Sequence, residues 1–208
     1  MRKEFIANFT HEIKTPLSII NGYIELIEAG KDDLKKQQYL SAIHQEIEHI
    51  NQLIMAMLDL SRLESGKVEL HKEDIDLEDL LMSIVETFAP ILKKKHIHVV
   101  MGDEFPHIQG DFKELKIVFQ NFMSNAIKHT PQNGHIYIKY HQGILSFENE
   151  GKHLSHEQKE TIWDTYVSSD RQGTGLGLAI CRSILELHGF QYDVCNIEKG
   201  VEFQIHIL

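Results

Sequence analysis

Basic tracts are missing from this 208-residue chain, which carries a formal net charge of −10. Its densest cationic run is Lys93-Lys94-Lys95, read as a solvated helix end. An acidic chain without a Lys/Arg-rich segment is a poor wrapper of nucleic acid, so no nucleic-acid partner is expected. Local backbone groups can still hold a polyphosphate. No apolar run is long enough to cross a bilayer, and Met1-Arg2-Lys3-Glu4 does not open a signal peptide. The segment is therefore expected to be soluble and cytoplasmic, without membrane contact of its own, as the excised part of a membrane protein would be. Cysteine is scarce: Cys181 and Cys195 stand apart and form no Cys-x-x-Cys pair. Reduced structural thiols are expected, not a redox or metal centre. The 14 histidines are scattered. His96 and His98 alternate on an expected strand, and without a third ligand they read as a surface face.

Two long apolar repeats stand at the start. Ile6, Ile13, Ile20 and Ile27 recur every seventh residue, with Phe9, Leu17 and Ile24 between them. A second helix is expected over about 34–64, with Leu40, Ile47 and Ile54 in one seam and Ile43, Ile50 and Met57 in the other. Pro16 interrupts the first repeat and should bend that helix. Two such helices in a hairpin cannot bury both stripes alone, and a dimeric four-helix bundle is the simplest solution.

The pattern changes after Ser65-Gly66-Lys67. Short strands are expected at 68–70, 97–101 and 108–110, and helices at 77–95 and from Asp111 onward. Asp111-x-x-Glu114 has the form of a capping box. Asn133-Gly134 and Gln142-Gly143 punctuate a hairpin of strands. A helix over 176–187 and two closing strands follow. The fold class is thus α plus α/β: a helical hairpin over 1–66, then an α/β sandwich over 67–208.

Three stretches carry chemistry. In Phe9-Thr10-His11-Glu12-Ile13-Lys14-Thr15-Pro16, His11 and Thr15 share the face opposite the seam, and Glu12 can take the proton of an imidazole acting as nucleophile. On the helix after Asp111, Asn121, Asn125 and Lys128 lie near one face, where amide oxygens suit Mg²⁺ and the ammonium suits phosphate. In Gly173-Thr174-Gly175-Leu176-Gly177, alternating glycines lead into a helix N-terminus, an anion-binding arrangement. That turn is neither the Walker lysine loop nor the dinucleotide fingerprint.

The three motifs in this order resemble the catalytic core of a bacterial two-component sensor histidine kinase, over essentially the whole chain. The resemblance implies a dimerisation and phosphotransfer domain (1–66) and a Bergerat-type ATP-binding domain (67–208). It implies His11 as phosphoacceptor, Glu12 as its general base and Thr15 as a positioner of water for dephosphorylating the partner regulator. Asn125 would bind Mg²⁺, with Asn121, Lys128 and His129 around the phosphates of ATP. Gly173, Thr174, Gly175, Leu176 and Gly177 would shape the phosphate end of the lid. Asn149, Gly151 and Leu154 would line the adenine end. The family's Asp-x-Gly-x-Gly segment is here Asn149-Glu150-Gly151-Lys152-His153, so the acceptor is neutral and His153 should crowd the pocket. Thr165 stands where the lid commonly has proline. Similar ATPases carry a water-activating Glu at the position of Asn121; its absence favours transfer to a protein nucleophile over hydrolysis. The implied function is autophosphorylation on His11 and transfer to an aspartate of a response regulator, with hinge freedom near Ser65–Lys67. The alternative is a kinase-inactive dimeric scaffold, or mainly a phosphatase of that regulator.

Overall fold

The structure, a computed structural model, describes residues 2–30, 35–66, 68–165 and 174–207. The side chain of Ile6, the turn residues Lys31, Asp32 and Asp33, Lys67, Tyr166 and Gly173 lie outside the described residues.

The two heptad repeats form α1 (Arg2–Glu28) and α2 (Lys36–Glu64). Gly30, at φ +60°, ends α1 in the left-handed conformation that lets its N–H return to the Ile27 carbonyl. Tyr23 stacks on Tyr39 at 5.5 Å and marks the register of the hairpin. The helix runs through Pro16 as one element. Proline has no N–H to give the Glu12 carbonyl, so that oxygen is left without its intrahelical partner. The two seams of α2 behave differently. Ile43, Ile50 and Met57 are half-buried where the helices meet. Leu40, Ile47 and Ile54 remain 45%, 43% and 40% exposed, and so do Leu17 and Ile24 of α1 at 47% and 40%. One apolar stripe thus closes the hairpin and a second is left open.

The rest of the chain is an α/β layer pair. Strands β1 (Glu73–Asp76) and β3 (His107–Gly110) form a separate antiparallel ribbon. The main sheet has the order β2-β4-β5-β7-β6, with β2 (His98–Met101) parallel to β4 (His135–His141). The other neighbours, β5 (Ile144–Glu150), β7 (Gly200–His206) and β6 (Gln191–Ile197), pair antiparallel. Helices α3 (Leu77–Lys95), α4 (Phe112–His129) and α6 (Gly177–His188) share one core with the sheet residues Ile136, Ile138, Leu145, Phe147, Phe203 and Ile205. The opposite sheet face is polar, with Lys139 bridging Glu148 at 2.6 Å. A short helix, α5 (His156–Thr161), begins with a full capping box between Ser155 and Gln158.

Three local expectations change. The strand expected at 68–70 is found at 73–76, where β3 offers it a partner. His96 lies on no strand; it is the left-handed C-cap of α3 at φ +52°, whereas His98 stacks on His135. The capping box at Asp111 is half formed. Asp111 accepts from the Lys113 and Glu114 N–H groups, but Glu114 does not reach back. Its carboxylate is taken by Arg62 at 2.8 Å, and the Asp111 N–H goes to His188 Nε2 at 3.0 Å. Arg62 belongs to α2, and Leu60 and Leu63 beside it enter the α/β core, so the base of the hairpin is anchored there.

Candidate active site

Helix α4 is apolar on the side that meets the sheet, where Leu115, Phe119, Phe122 and Met123 are all but fully buried. Its opposite side turns Asn121, Ser124, Asn125 and Lys128 into a cavity of about 740 Å³. That volume lies in the range of small-ligand sites. Asn121 donates its Nδ2–H to the Ile117 carbonyl at 2.9 Å, which fixes the amide and leaves Oδ1 facing α6. The Asn125 side chain is half-buried and makes no hydrogen bond to a described residue. Its amide oxygen is therefore available to a ligand.

The glycine turn delivers the second wall. Gly175 takes φ +63°, and α6 begins at Gly177 with no side chain capping it. Its first N–H groups have no intrahelical acceptor and carry the positive end of the helix dipole. Gly177 and Leu178 line the cavity, so this end faces it. A Cβ on Gly177 would stand 2.5 Å from Asn121 Oδ1, so any side chain here would push the Asn121 amide out of its present position. Thr174 lines the cavity and accepts the Leu176 N–H at 3.3 Å. Leu176 itself points away: it is fully buried in the core and contributes position, not contact.

At the far end Asn149 is only 3% exposed, and Leu154 completes the wall. Gly151 lies just behind, because a Cβ there would meet the His129 carbonyl oxygen at 2.7 Å. His129 and Lys128 both line the cavity. The crowding expected of His153 does not occur. Its Nε2 lies 2.8 Å from the Ile197 carbonyl, which draws the ring toward β6 and out of the cavity wall. Next to Asn149, burial would raise the Glu150 carboxyl, but hydrogen bonds from the backbone and ring of His135 outweigh it and hold the group below its ordinary value.

His11 and Thr15 are exposed on α1 and Glu12 is half-exposed; none of the three lines the cavity. Thr15 Oγ1 donates to the His11 carbonyl at 3.3 Å. Carried along at equal rise from the Tyr23–Tyr39 stack, the hairpin register sets His11 level with the stretch of α2 around Gln52. Gln52, Met55, Ala56 and Asp59 of α2 line the cavity mouth. Sequence reasoning missed these four, since their only local signal is helical periodicity.

A divalent cation held by Asn125 fits the donor set: a hard amide oxygen, with room in the cavity for phosphate oxygens and water. No cluster of three or more His, Cys, Asp or Glu that could hold a metal is present among the described residues. Burial pushes the Cys181 thiol far up and raises Cys195 to about 11, so both stay protonated at neutral pH. Among the described residues no helix is long and apolar enough to cross a membrane.

The fold and cavity thus define an α/β layer with a cavity lined by amide, ammonium and helix N-terminal N–H groups, joined to a helical hairpin with an exposed histidine. The His Kinase A (phospho-acceptor) domain matches residues 1–66. The histidine kinase-, DNA gyrase B- and HSP90-like ATPase family matches residues 110–208. The phosphate regulon sensor protein PhoR of Pseudomonas aeruginosa is 32% identical over 99% of this chain and 50% of its own length. The histidine kinase ThkA, solved with the response regulator protein TrrA, superposes with a TM-score of 0.82 at 28% identity, over 98% of this chain and 60% of that one. Full-length ShkA in complex with AMPPNP gives a TM-score of 0.72 at 27% identity, over 97% and 45%. The chain belongs to the two-component sensor histidine kinases and corresponds to their phosphoacceptor and ATPase-like core. It spans half or less of the length of such curated relatives.

Proposed function

We propose that this chain is an ATP-dependent protein-histidine kinase that phosphorylates itself on His11 and passes the phosphoryl group to an aspartate of a response regulator. The observation that carries the reading is the cavity where Asn121, Asn125 and Lys128 of α4 meet the uncapped glycine start of α6. Amide, ammonium and free N–H groups are what a triphosphate tail requires. Mg²⁺ held by Asn125 would neutralise phosphate oxygens as charge moves onto the leaving diphosphate. In the transfer an imidazole nitrogen of His11 bonds to the γ-phosphorus, the bond to the β–γ bridging oxygen breaks, and ADP leaves. Glu12 accepts the proton of the other ring nitrogen. No carboxylate occupies the Asn121 position to activate water, which favours the histidine as acceptor. Thr15, one turn from His11, would hold a water when the regulator is dephosphorylated.

The working division is 1–66 for dimerisation and phosphotransfer and 67–208 for nucleotide binding, with movement about Ser65–Lys67 bringing the cavity to His11. The partners in this reading are a second copy of the chain and a receiver domain; the ThkA–TrrA complex supports the latter. The half-length match to relatives named as sensor proteins supports a place as the cytoplasmic portion of a membrane-bound sensor.

Incubation with γ-labelled ATP and Mg²⁺ tests the assignment. Acid-labile, base-stable label is expected on the protein and is expected to disappear in His11→Gln. Asn125→Ala should slow labelling by about 100-fold, the scale of losing one group that stabilises developing charge. Label persisting in His11→Gln would sink the reading.

A further inference from the structure

Asn149 is a neutral amide, 3% exposed, in the wall of the nucleotide cavity. One Nδ2 hydrogen goes to the Glu150 carbonyl at 3.2 Å. Among the described residues neither Oδ1 nor the second Nδ2 hydrogen has a partner. A buried amide left with one donor and one acceptor is costly unless something that enters the cavity completes it. The backbone around it is held firmly. Asn149 pairs with Ile136 on one side and Val201 on the other, in the middle of the sheet, and Gly200 packs against its carbonyl. The position of the head group is thus set by a rigid backbone, while its amide can still turn about its last torsion.

We infer that Asn149 makes this site accept purine nucleoside triphosphates with either a 6-amino or a 6-oxo group, GTP as well as ATP. The inference rests on the nucleotide-site reading above. A carboxylate at this point offers acceptors only; it suits a 6-amino group and repels a 6-oxo oxygen. An amide offers both. Its oxygen can take the N6–H of adenine while its nitrogen donates to N1. With the two ends exchanged, nitrogen donates to O6 of guanine and oxygen takes N1–H. The exchange is a half-turn about a terminal sp³–sp² torsion, which is broad and two-fold, so either orientation is reachable. The rotated form gives up the contact to Glu150, which at 3.2 Å is at the long end of the hydrogen-bond range, and turns Oδ1 toward that carbonyl oxygen, so the head group must also shift slightly away from it. The edge-reading capacity is thus retained and the sign of the selection is lost.

The test is calorimetric titration of the full chain with Mg²⁺ and either AMPPNP or GMPPNP, repeated on Asn149→Asp. The wild-type chain is expected to bind the two analogues within about 10-fold of each other, because in both poses the base edge is fully paired and the guanine pose forgoes only the long contact to Glu150. Asn149→Asp is expected to shift the ratio toward AMPPNP by about 10- to 100-fold, the scale of one bidentate base contact. Wild-type binding of AMPPNP with GMPPNP weaker by more than about 100-fold overturns the inference and leaves the kinase reading standing. Binding of neither analogue overturns both. The wild-type ratio decides the matter even if Asn149→Asp fails to fold, and an unchanged ratio in a folded Asn149→Asp counts against it.

Discussion

His188 uses its two ring nitrogens on two different elements. Nδ1 lies 2.8 Å from the Ile184 carbonyl, and Nε2 accepts the Asp111 N–H at 3.0 Å. An imidazole can do both only when neutral, because Nε2 must carry no proton to accept. Burial lowers its proton affinity below the ordinary 6.5; Lys72 adds to this, and the Ile184 bond, Asp111 and Glu114 oppose it. A group whose folded value is depressed takes up protons on unfolding. Its stability contribution is therefore complete above pH 6.5 and declines as pH falls from there to the folded value. Asp111, held low by the N–H groups of His71, Glu114 and Lys113 against the effect of burial, loses its contribution only below its ordinary 3.8 and does not confuse that window. Urea unfolding should show the wild-type chain less stable at pH 5.5 than at 7.5, and His188→Gln should flatten the difference. Equal wild-type stabilities at the two pH values would contradict this.

At the scale of elements, two glycines predict opposite outcomes. Gly200 opens β7 opposite Glu150, and a Cβ there would collide with the Asn149 carbonyl oxygen and the Glu150 backbone. These are main-chain atoms in a paired strand, so the collision is relieved only by disturbing the β5–β7 ladder. Gly200→Ala should cost about 1–3 kcal/mol, the usual scale of overpacking. Gly22 lies inside α1 with nothing within 4 Å of a Cβ. There alanine removes the entropic penalty of a helical glycine and should stabilise by about 0.5–1 kcal/mol. Thermal melts of the two variants read the difference; a Gly200→Ala melt matching wild type would show that the ladder tolerates the methyl group.

For the molecule as a whole, the open stripe decides the assembly. Leu40, Ile47 and Ile54 repeat along α2 on a face the single chain leaves exposed, and Leu17 and Ile24 repeat likewise on α1. Rows of apolar side chains at heptad spacing are what a second copy of the hairpin would cover, giving four helices around one core. Sedimentation should find the wild-type chain as a dimer and the double variant Ile47→Lys, Ile54→Lys as a monomer with its α/β part still folded. A wild-type chain that sediments as a monomer at tens of micromolar would remove the dimer from the mechanism.

Local rules made much of this protein legible from its sequence. Heptad spacing marked α1 and α2, the cap at Asp111 opened α4, and 3.6-residue periodicity placed Asn121, Asn125 and Lys128 on one face. Each of these depends on residues within a few positions of each other, where backbone geometry alone settles who is near whom. What each face meets was decided by the tertiary structure. Ile43 and Ile50 turn inward while Ile47 and Ile54 stay open. Glu114 leaves its own helix start for Arg62, 52 residues earlier, and His188 takes the vacated Asp111 N–H from 77 residues away. Leu176 falls into the core, His153 turns to β6, and α2 supplies Gln52 and Asp59 to the cavity. These pairings span dozens of residues. They follow from how closed layers fill space and satisfy buried polar groups, which periodicity along a single element does not encode.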